Sequence, residues 1–216
     1  MGRLAREVLA QARRIISLYP EKRSALIPLC HLAQAQDGWL TPEAMEHIAE
    51  LVGVTPAEVA GTASFYDMLH DKPVGRYLIG ICTNIACMLE GGLELLEHAE
   101  ERLGVAVGGT TEDGMFTLEE VECVGACDRA PCAAANWRYF GPFRPGDHAS
   151  FDVLVEDLRS GNLEEEVPRH GVLSRTWRQR GLEVSPEQVR AERAEADLRR
   201  RRRKEQAEAG GGGQNG

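Results

Sequence analysis

Four of the six cysteines in this chain fall into two short loops, and this spacing constrains the fold more than any other feature. Cys82 and Cys87 are separated by four residues, and Cys123 and Cys127 are separated by three. Each pair follows a segment whose residues are typical of a β-strand. A tight loop at a strand end lets two thiolates converge on one metal ion, so we expect the fold to bring these two strand ends together.

The spacing by itself supports a four-thiolate metal site and leaves two metals open. A [2Fe–2S] cluster needs two thiolates on each of its two tetrahedral irons. Structural zinc also accepts four thiolates, although zinc ribbons usually separate paired cysteines by two residues and neither pair here does. Disulfides and a thioredoxin-type dithiol are weaker alternatives. The two remaining cysteines, Cys30 on an amphipathic helix and Cys132 in an apolar strand, are interpreted as buried thiols.

Composition excludes several classes of function. The net charge of −9 over 216 residues argues against a nucleic-acid-binding body. No apolar run reaches the roughly 18 residues that a membrane span needs. The N-terminus carries arginines and no unbroken apolar core, so it does not read as a secretory signal. We therefore expect a compartment in which thiols stay reduced.

Three regions follow from the pattern of apolar residues. Residues 1–71 read as a small four-helix unit. Residues 72–165 read as β-α-β-β-α, a compact α/β layer with cysteines at its strand ends. Residues 166–216 are charged, and six consecutive basic residues occupy 199–204. This tail is interpreted as a solvated or frayed helix, with a basic tether to an acidic partner or an anionic lipid surface as the alternative.

Local signals predict where the elements begin and turn. Thr41 and Thr55 each precede a proline and are expected to cap helices, and Glu58 would complete a capping box with Thr55. Ser24 is expected to cap the second helix. A hairpin is expected to turn at 136–137. The aromatic pair at 65–66 could contact a flavin, but packing is the favoured interpretation.

At the cysteine loops the sequence resembles a known family. Residues 82–89 and 122–131 are similar to the thioredoxin-like [2Fe–2S] subunit of respiratory complex I, the E subunit of NADH–quinone oxidoreductase. Residues 25–29, 38–40 and 61–66 support the resemblance, which covers about residues 10–165. It favours iron–sulfur over zinc. The chain departs from the family pattern at Cys132, where valine or methionine is expected, and at Pro142 and Pro145 before the last helix.

The resemblance implies an α+β fold, an N-terminal helical bundle followed by a thioredoxin-like α/β domain, and a role without independent catalysis. It assigns one [2Fe–2S] cluster to Cys82, Cys87, Cys123 and Cys127. It implies that the cluster exchanges one electron with flavin mononucleotide (FMN) on a partner subunit that oxidises NADH. The partners would be that subunit and others of the peripheral arm, on the cytoplasmic side and without membrane insertion. An NAD-linked hydrogenase or formate dehydrogenase is the alternative assembly, and a structural zinc module is the alternative class.

Overall fold

The computed structural model describes residues 2–146 and 148–172, and it has the α+β architecture that the sequence predicts. A helical unit comes first and a four-stranded sheet with three helices follows. The basic run at 199–204 lies outside the described residues. Within the described part, none of the helices is both long and apolar enough to cross a membrane.

Four α-helices build the N-terminal unit. They are α1 Arg6–Ser17, α2 Leu26–Asp37, α3 Pro42–Val52 and α4 Pro56–Ala63. Their starts follow the predicted caps in two cases. The Thr41 hydroxyl accepts a hydrogen bond from the Ala44 N–H at 3.1 Å, and Thr55 forms the predicted capping box with Glu58.

The prediction that Ser24 caps the second helix is wrong. Ser24 lies inside a short 3₁₀ turn, Lys22–Ala25, that runs directly into α2, and no side chain caps α2. The turn positions Ala25 and Leu26 in the core before the helix begins. Pro28 stays within the first turn of α2, where the missing N–H has no intrahelical partner to lose.

The sheet has the order β2-β1-β3-β4. Its strands are β1 Tyr77–Cys82, β2 Phe116–Val121, β3 Ala133–Ala135 and β4 Arg138–Phe140. β1 is parallel to β2, whereas β3 is antiparallel to both β1 and β4. All six residues of β1 are buried, as expected for a central strand. Asn136 and Trp137 turn the predicted hairpin with positive φ angles of 44° and 68°.

Three helices accompany the sheet: α5 Ile85–Leu89, α6 Gly92–Leu103 and α7 Ala149–Ser160. α6 and α7 pack their apolar faces on the core that contains Tyr77, Phe116 and Phe151, all fully buried. The helical unit has a core of its own around Leu29, Leu40 and Ile48. Two separate cores leave the sheet edge with the cysteines free of both.

A short segment after α7 lies between the two units. Val167 and His170 are buried although the sequence places them in the charged tail. The His170 N–H donates to the Arg76 carbonyl at 2.7 Å, and its ring lies 3.0 Å from the Gly38 carbonyl oxygen. The segment therefore contacts both the sheet and the helical unit. The boundaries proposed at 71 and 165 remain predictions.

Candidate metal centre

The four predicted ligands lie in the two loops that follow the parallel strands β1 and β2. Cys82 is the last residue of β1, and Cys87 lies within the short helix α5. Cys123 follows β2 by two residues, and Cys127 begins a 3₁₀ turn, Cys127–Arg129. Parallel neighbours end at the same edge of a sheet, so the strand pairing itself brings the two loops together.

Hydrogen bonds join the two loops directly. The Thr83 N–H donates to the Val121 carbonyl at 3.1 Å, and the Thr83 hydroxyl donates to the Glu120 carboxylate at 2.7 Å. The Asn84 amide donates to the Glu122 carboxylate at 3.2 Å, while its oxygen accepts from the Ile85 N–H at the start of α5. The loop that carries Cys87 is thus fixed against the loop that carries Cys123.

The first cysteine pair is buried. Cys82 is 3% exposed and Cys87 is 1% exposed, and their sulfur atoms lie within 4.8 Å of each other. The Cys82 thiol donates to the Glu122 carbonyl at 2.9 Å, a contact that only the protonated thiol can make. Burial is the main reason that the pKa of the Cys87 thiol is raised, and the neighbouring Cys82 raises it further. A metal that binds here must displace both protons.

The second pair is exposed and meets the first. The neighbouring Cys123 thiol is the largest cause that raises the pKa of Cys127, and Cys82 also contributes to this shift. Cys127 therefore lies beside its own partner and close enough to Cys82 to sense its charge. The resulting donor set has one buried half and one exposed half.

A third buried thiol stands beside the first pair, which sequence reasoning did not foresee. Cys132 is 1% exposed, and its sulfur lies 3.7 Å from that of Cys87. Among the described residues, the thiols within 4.8 Å of one another are Cys82, Cys87 and Cys132. Cys132 is buried as predicted, but it is not isolated. Cys30 is buried in the core of the helical unit.

Gly92 brings helix α6 against both halves of the first loop. A β-carbon at this position would stand 2.7 Å from the Cys82 carbonyl oxygen and 2.8 Å from the Cys87 carbonyl oxygen. No real side chain tolerates such distances without a backbone shift. The close approach predicted for Gly91 and Gly92 is confirmed at Gly92.

The donor set fits an iron–sulfur cluster. Four thiols in two pairs meet at one sheet edge, within reach of one another, and supply two sulfur ligands for each of two metal ions. Cys82, Cys87, Ala126 and Cys132 form a small apolar cluster of their own around the buried half. The surroundings therefore shield the sulfurs on one side from water.

One prediction about the aromatic residues is wrong. Phe65 is 77% exposed and Tyr66 is 41% exposed, and the two rings contact each other edge to face at 5.2 Å. They do not pack into the helical core, because α4 ends at Ala63 and the chain after it turns along the surface. They line an open cavity of about 450 Å³ beside α4.

Fold and site together define a class of protein, a thioredoxin-like α/β domain with four thiols that can hold one metal cluster. Residues 12–158 match the family described as thioredoxin-like [2Fe-2S] ferredoxin. The chain belongs to this family, and its cofactor is one [2Fe–2S] cluster. The resemblance found in the sequence is thereby confirmed.

Two curated relatives are named as components of an NADH-quinone oxidoreductase. The E subunit of that enzyme from Mycobacterium tuberculosis is 45% identical over 149 residues, which are 69% of this chain and 58% of the relative. The second of the E subunits from Rhizobium meliloti is 39% identical over 163 residues, 76% of this chain and 93% of the relative. The chain thus spans little more than half the length of the mycobacterial relative it matches.

A solved structure is similar as well. An NAD+-reducing [NiFe]-hydrogenase in the air-oxidized state shares 25% identity with a TM-score of 0.53, and the match covers 67% of this chain and 24% of that one. The likeness extends to a protein whose name differs from that of the curated relatives.

Proposed function

We propose that this chain is an electron-transfer subunit of an assembly that oxidises NADH, an NADH–quinone oxidoreductase. The observation that carries the proposal is the meeting of two cysteine loops at the ends of parallel strands β1 and β2. The names of the relatives supply the assembly. The chain acts as one subunit of an oxidoreductase and performs no bond-making by itself.

We assign Cys82, Cys87, Cys123 and Cys127 as the ligands. Cys82 and Cys87 would hold the buried iron, and Cys123 and Cys127 would hold the exposed iron. The assignment is supported by the closeness of the sulfurs within each pair and by the contact of Cys127 with the field of Cys82. When bound, the cluster would take up or release a single electron.

The residues around the site divide the work between shielding and access. Ala126, Val121 and Tyr139 surround the buried thiols and keep water from that side. Cys123 and Cys127 are exposed, so the second loop is the side from which an electron reaches the site. Electron transfer between proteins needs close approach of the two redox groups, and the exposed loop permits it.

A partner surface adjoins this exposed side. Ile85 is 68% exposed and Leu89 is 75% exposed on α5, the helix that carries Cys87, and Leu93 at the start of α6 is 47% exposed. Exposed apolar side chains grouped beside a functional site are typical of protein interaction surfaces. We assign this surface to the flavin-bearing subunit that binds NADH and FMN. The assembly would lie on the cytoplasmic side of the membrane, with this chain peripheral to it.

A second candidate is the equivalent subunit of an NAD-linked hydrogenase. The similarity to the NAD+-reducing [NiFe]-hydrogenase favours it specifically. The chemistry that separates the two lies on other chains. Purification of the tagged full chain from its native host, followed by identification of the proteins bound to it, distinguishes a quinone-reducing assembly from a hydrogenase.

Electron paramagnetic resonance during a redox titration tests the proposal. The full chain should contain two iron atoms and two acid-labile sulfides. On reduction it should give a rhombic spin-one-half signal, both alone and in its purified assembly. A colourless chain that binds stoichiometric zinc would contradict the proposal, because zinc has no redox chemistry.

A further inference from the structure

Cys132 stands closer to a proposed ligand than a bystander needs to. Its sulfur lies 3.7 Å from the sulfur of Cys87, and all three buried sulfurs lie within 4.8 Å of one another. Two thiolates on one tetrahedral metal ion, each bound at about 2.3 Å, stand about 3.8 Å apart. The Cys87–Cys132 separation therefore matches two ligands of the same ion.

The fold fixes Cys132 in this position. The Cys82 N–H donates to the Cys132 carbonyl at 3.1 Å. The adjacent residues pair as Ile81 with Ala133 in the antiparallel β1–β3 ladder. Cys82 and Cys132 are thus neighbours across two strands, and Cys132 cannot move away unless the ladder opens.

We propose that Cys132 is a reserve ligand for the iron held by Cys82 and Cys87. The inference rests on the proposed ligand set and extends it to a fifth sulfur. When Cys87 is removed, the Cys132 thiol releases its proton to solvent and its sulfur binds the iron in place of the missing thiolate. One iron–sulfur bond replaces another, no electron is transferred, and the charge of the site is unchanged.

The exposed pair has no such reserve. The chain contains six cysteines. Four are the proposed ligands, and Cys30 lies in the core of the helical unit. Cys132 belongs to the buried thiol group, which includes neither Cys123 nor Cys127. The structure therefore predicts an asymmetry, in which loss of a buried ligand is tolerated and loss of an exposed ligand is not.

Alanine variants of the full chain test this asymmetry, because alanine offers no oxygen that could replace the lost sulfur. After anaerobic reconstitution with iron and sulfide, Cys87→Ala should keep about half or more of the wild-type cluster content, with shifted resonance and absorption spectra. Cys123→Ala should lose at least about tenfold. The double variant Cys87→Ala/Cys132→Ala should fall to the same low level.

A matched double variant controls for the number of changes. Cys30→Ala/Cys87→Ala removes a second buried thiol outside the site and should retain the cluster content of Cys87→Ala. If Cys87→Ala is as empty as Cys123→Ala, or the Cys132 double variant is as full as Cys87→Ala, the inference is overturned. A wild-type chain that takes up no cluster would instead overturn the proposed function.

Cobalt binding examines the three buried thiols without a cluster. In the background Cys123→Ala/Cys127→Ala, the apoprotein should bind one Co²⁺ with the charge-transfer and ligand-field bands of a thiolate-rich tetrahedral site. Adding Cys132→Ala should weaken the affinity about tenfold or more, whereas adding Cys30→Ala should leave it unchanged. Equal affinities in these two variants would contradict the inference even if the cluster variants fail to assemble.

Discussion

At the scale of single residues, burial sorts the thiols into different chemical states. Cys30 is fully buried, and burial raises the pKa of its thiol to about 12. Only about one molecule in ten thousand would carry the reactive thiolate at pH 8. Cys123 and Cys127 are exposed to reagents. The six cysteines should therefore differ widely in reactivity.

Alkylation with iodoacetamide at pH 8, followed by peptide mass spectrometry, measures this difference. After the cluster is removed by a chelator, Cys123 and Cys127 should be labelled, while Cys30 should stay unlabelled until denaturant is added. In the loaded chain, Cys123 and Cys127 should also be protected. Rapid labelling of Cys123 in the loaded chain would show that the ligand assignment is wrong.

At the scale of the elements, the start of helix α6 controls the geometry of the first cysteine loop. Gly92 leaves no space for a β-carbon against the Cys82 and Cys87 carbonyl oxygens. Gly92→Ala must push α6 away from this loop, so it should lower the free energy of unfolding by about 1–3 kcal/mol. Cluster content should fall with it. Urea unfolding of the full chain and iron analysis measure the two effects.

Gly61 provides the matched control. It lies in α4, and a β-carbon there would meet nothing within 4 Å. Gly61→Ala should raise stability by up to about 1 kcal/mol, because alanine is favoured over glycine inside a helix. Cluster content should not change. The same substitution thus has opposite signs at the two positions, and equal signs would refute the assigned role of Gly92.

The elements also show what the sequence could and could not predict. Thr41 and Thr55 were readable as caps because their hydrogen bonds are local, and the cysteine loops were readable because each follows an apolar strand. The role of Cys132 was hidden, since its closeness to Cys87 depends on a pairing between strands distant in sequence. Phe65 was misread because apolar character does not reveal whether a core continues beyond a helix end.

At the scale of the whole molecule, a buried histidine joins the two units. His170 is 4% exposed, and its ring packs edge to face on His70 at 4.7 Å. Burial is the largest cause that lowers the pKa of His170 to about 4, and the nearby His70 lowers it further. The Gly38 carbonyl and Glu119 act in the opposite direction but do not overcome burial. The folded chain therefore holds this ring neutral.

This neutral ring makes stability depend on pH. The unfolded chain protonates His170 near its ordinary pKa of 6.5, whereas the folded chain does so only at about 4. Between these values the unfolded state binds more protons, so the free energy of unfolding falls as the pH is lowered. The part due to His170 should be about 1 kcal/mol between pH 7.5 and pH 5.5.

Comparison with His170→Asn isolates this part. The asparagine amide can still donate to the Gly38 carbonyl, but it does not titrate. Urea unfolding of both chains at pH 7.5, 6.5 and 5.5 should show the variant losing less stability than the wild type as the pH is lowered, by about 1 kcal/mol over this range. Carboxylates titrate equally in both chains and cancel in the difference. Parallel pH profiles would mean that the ring becomes protonated in the folded chain near pH 6.5, and that the junction between the helical unit and the sheet admits water.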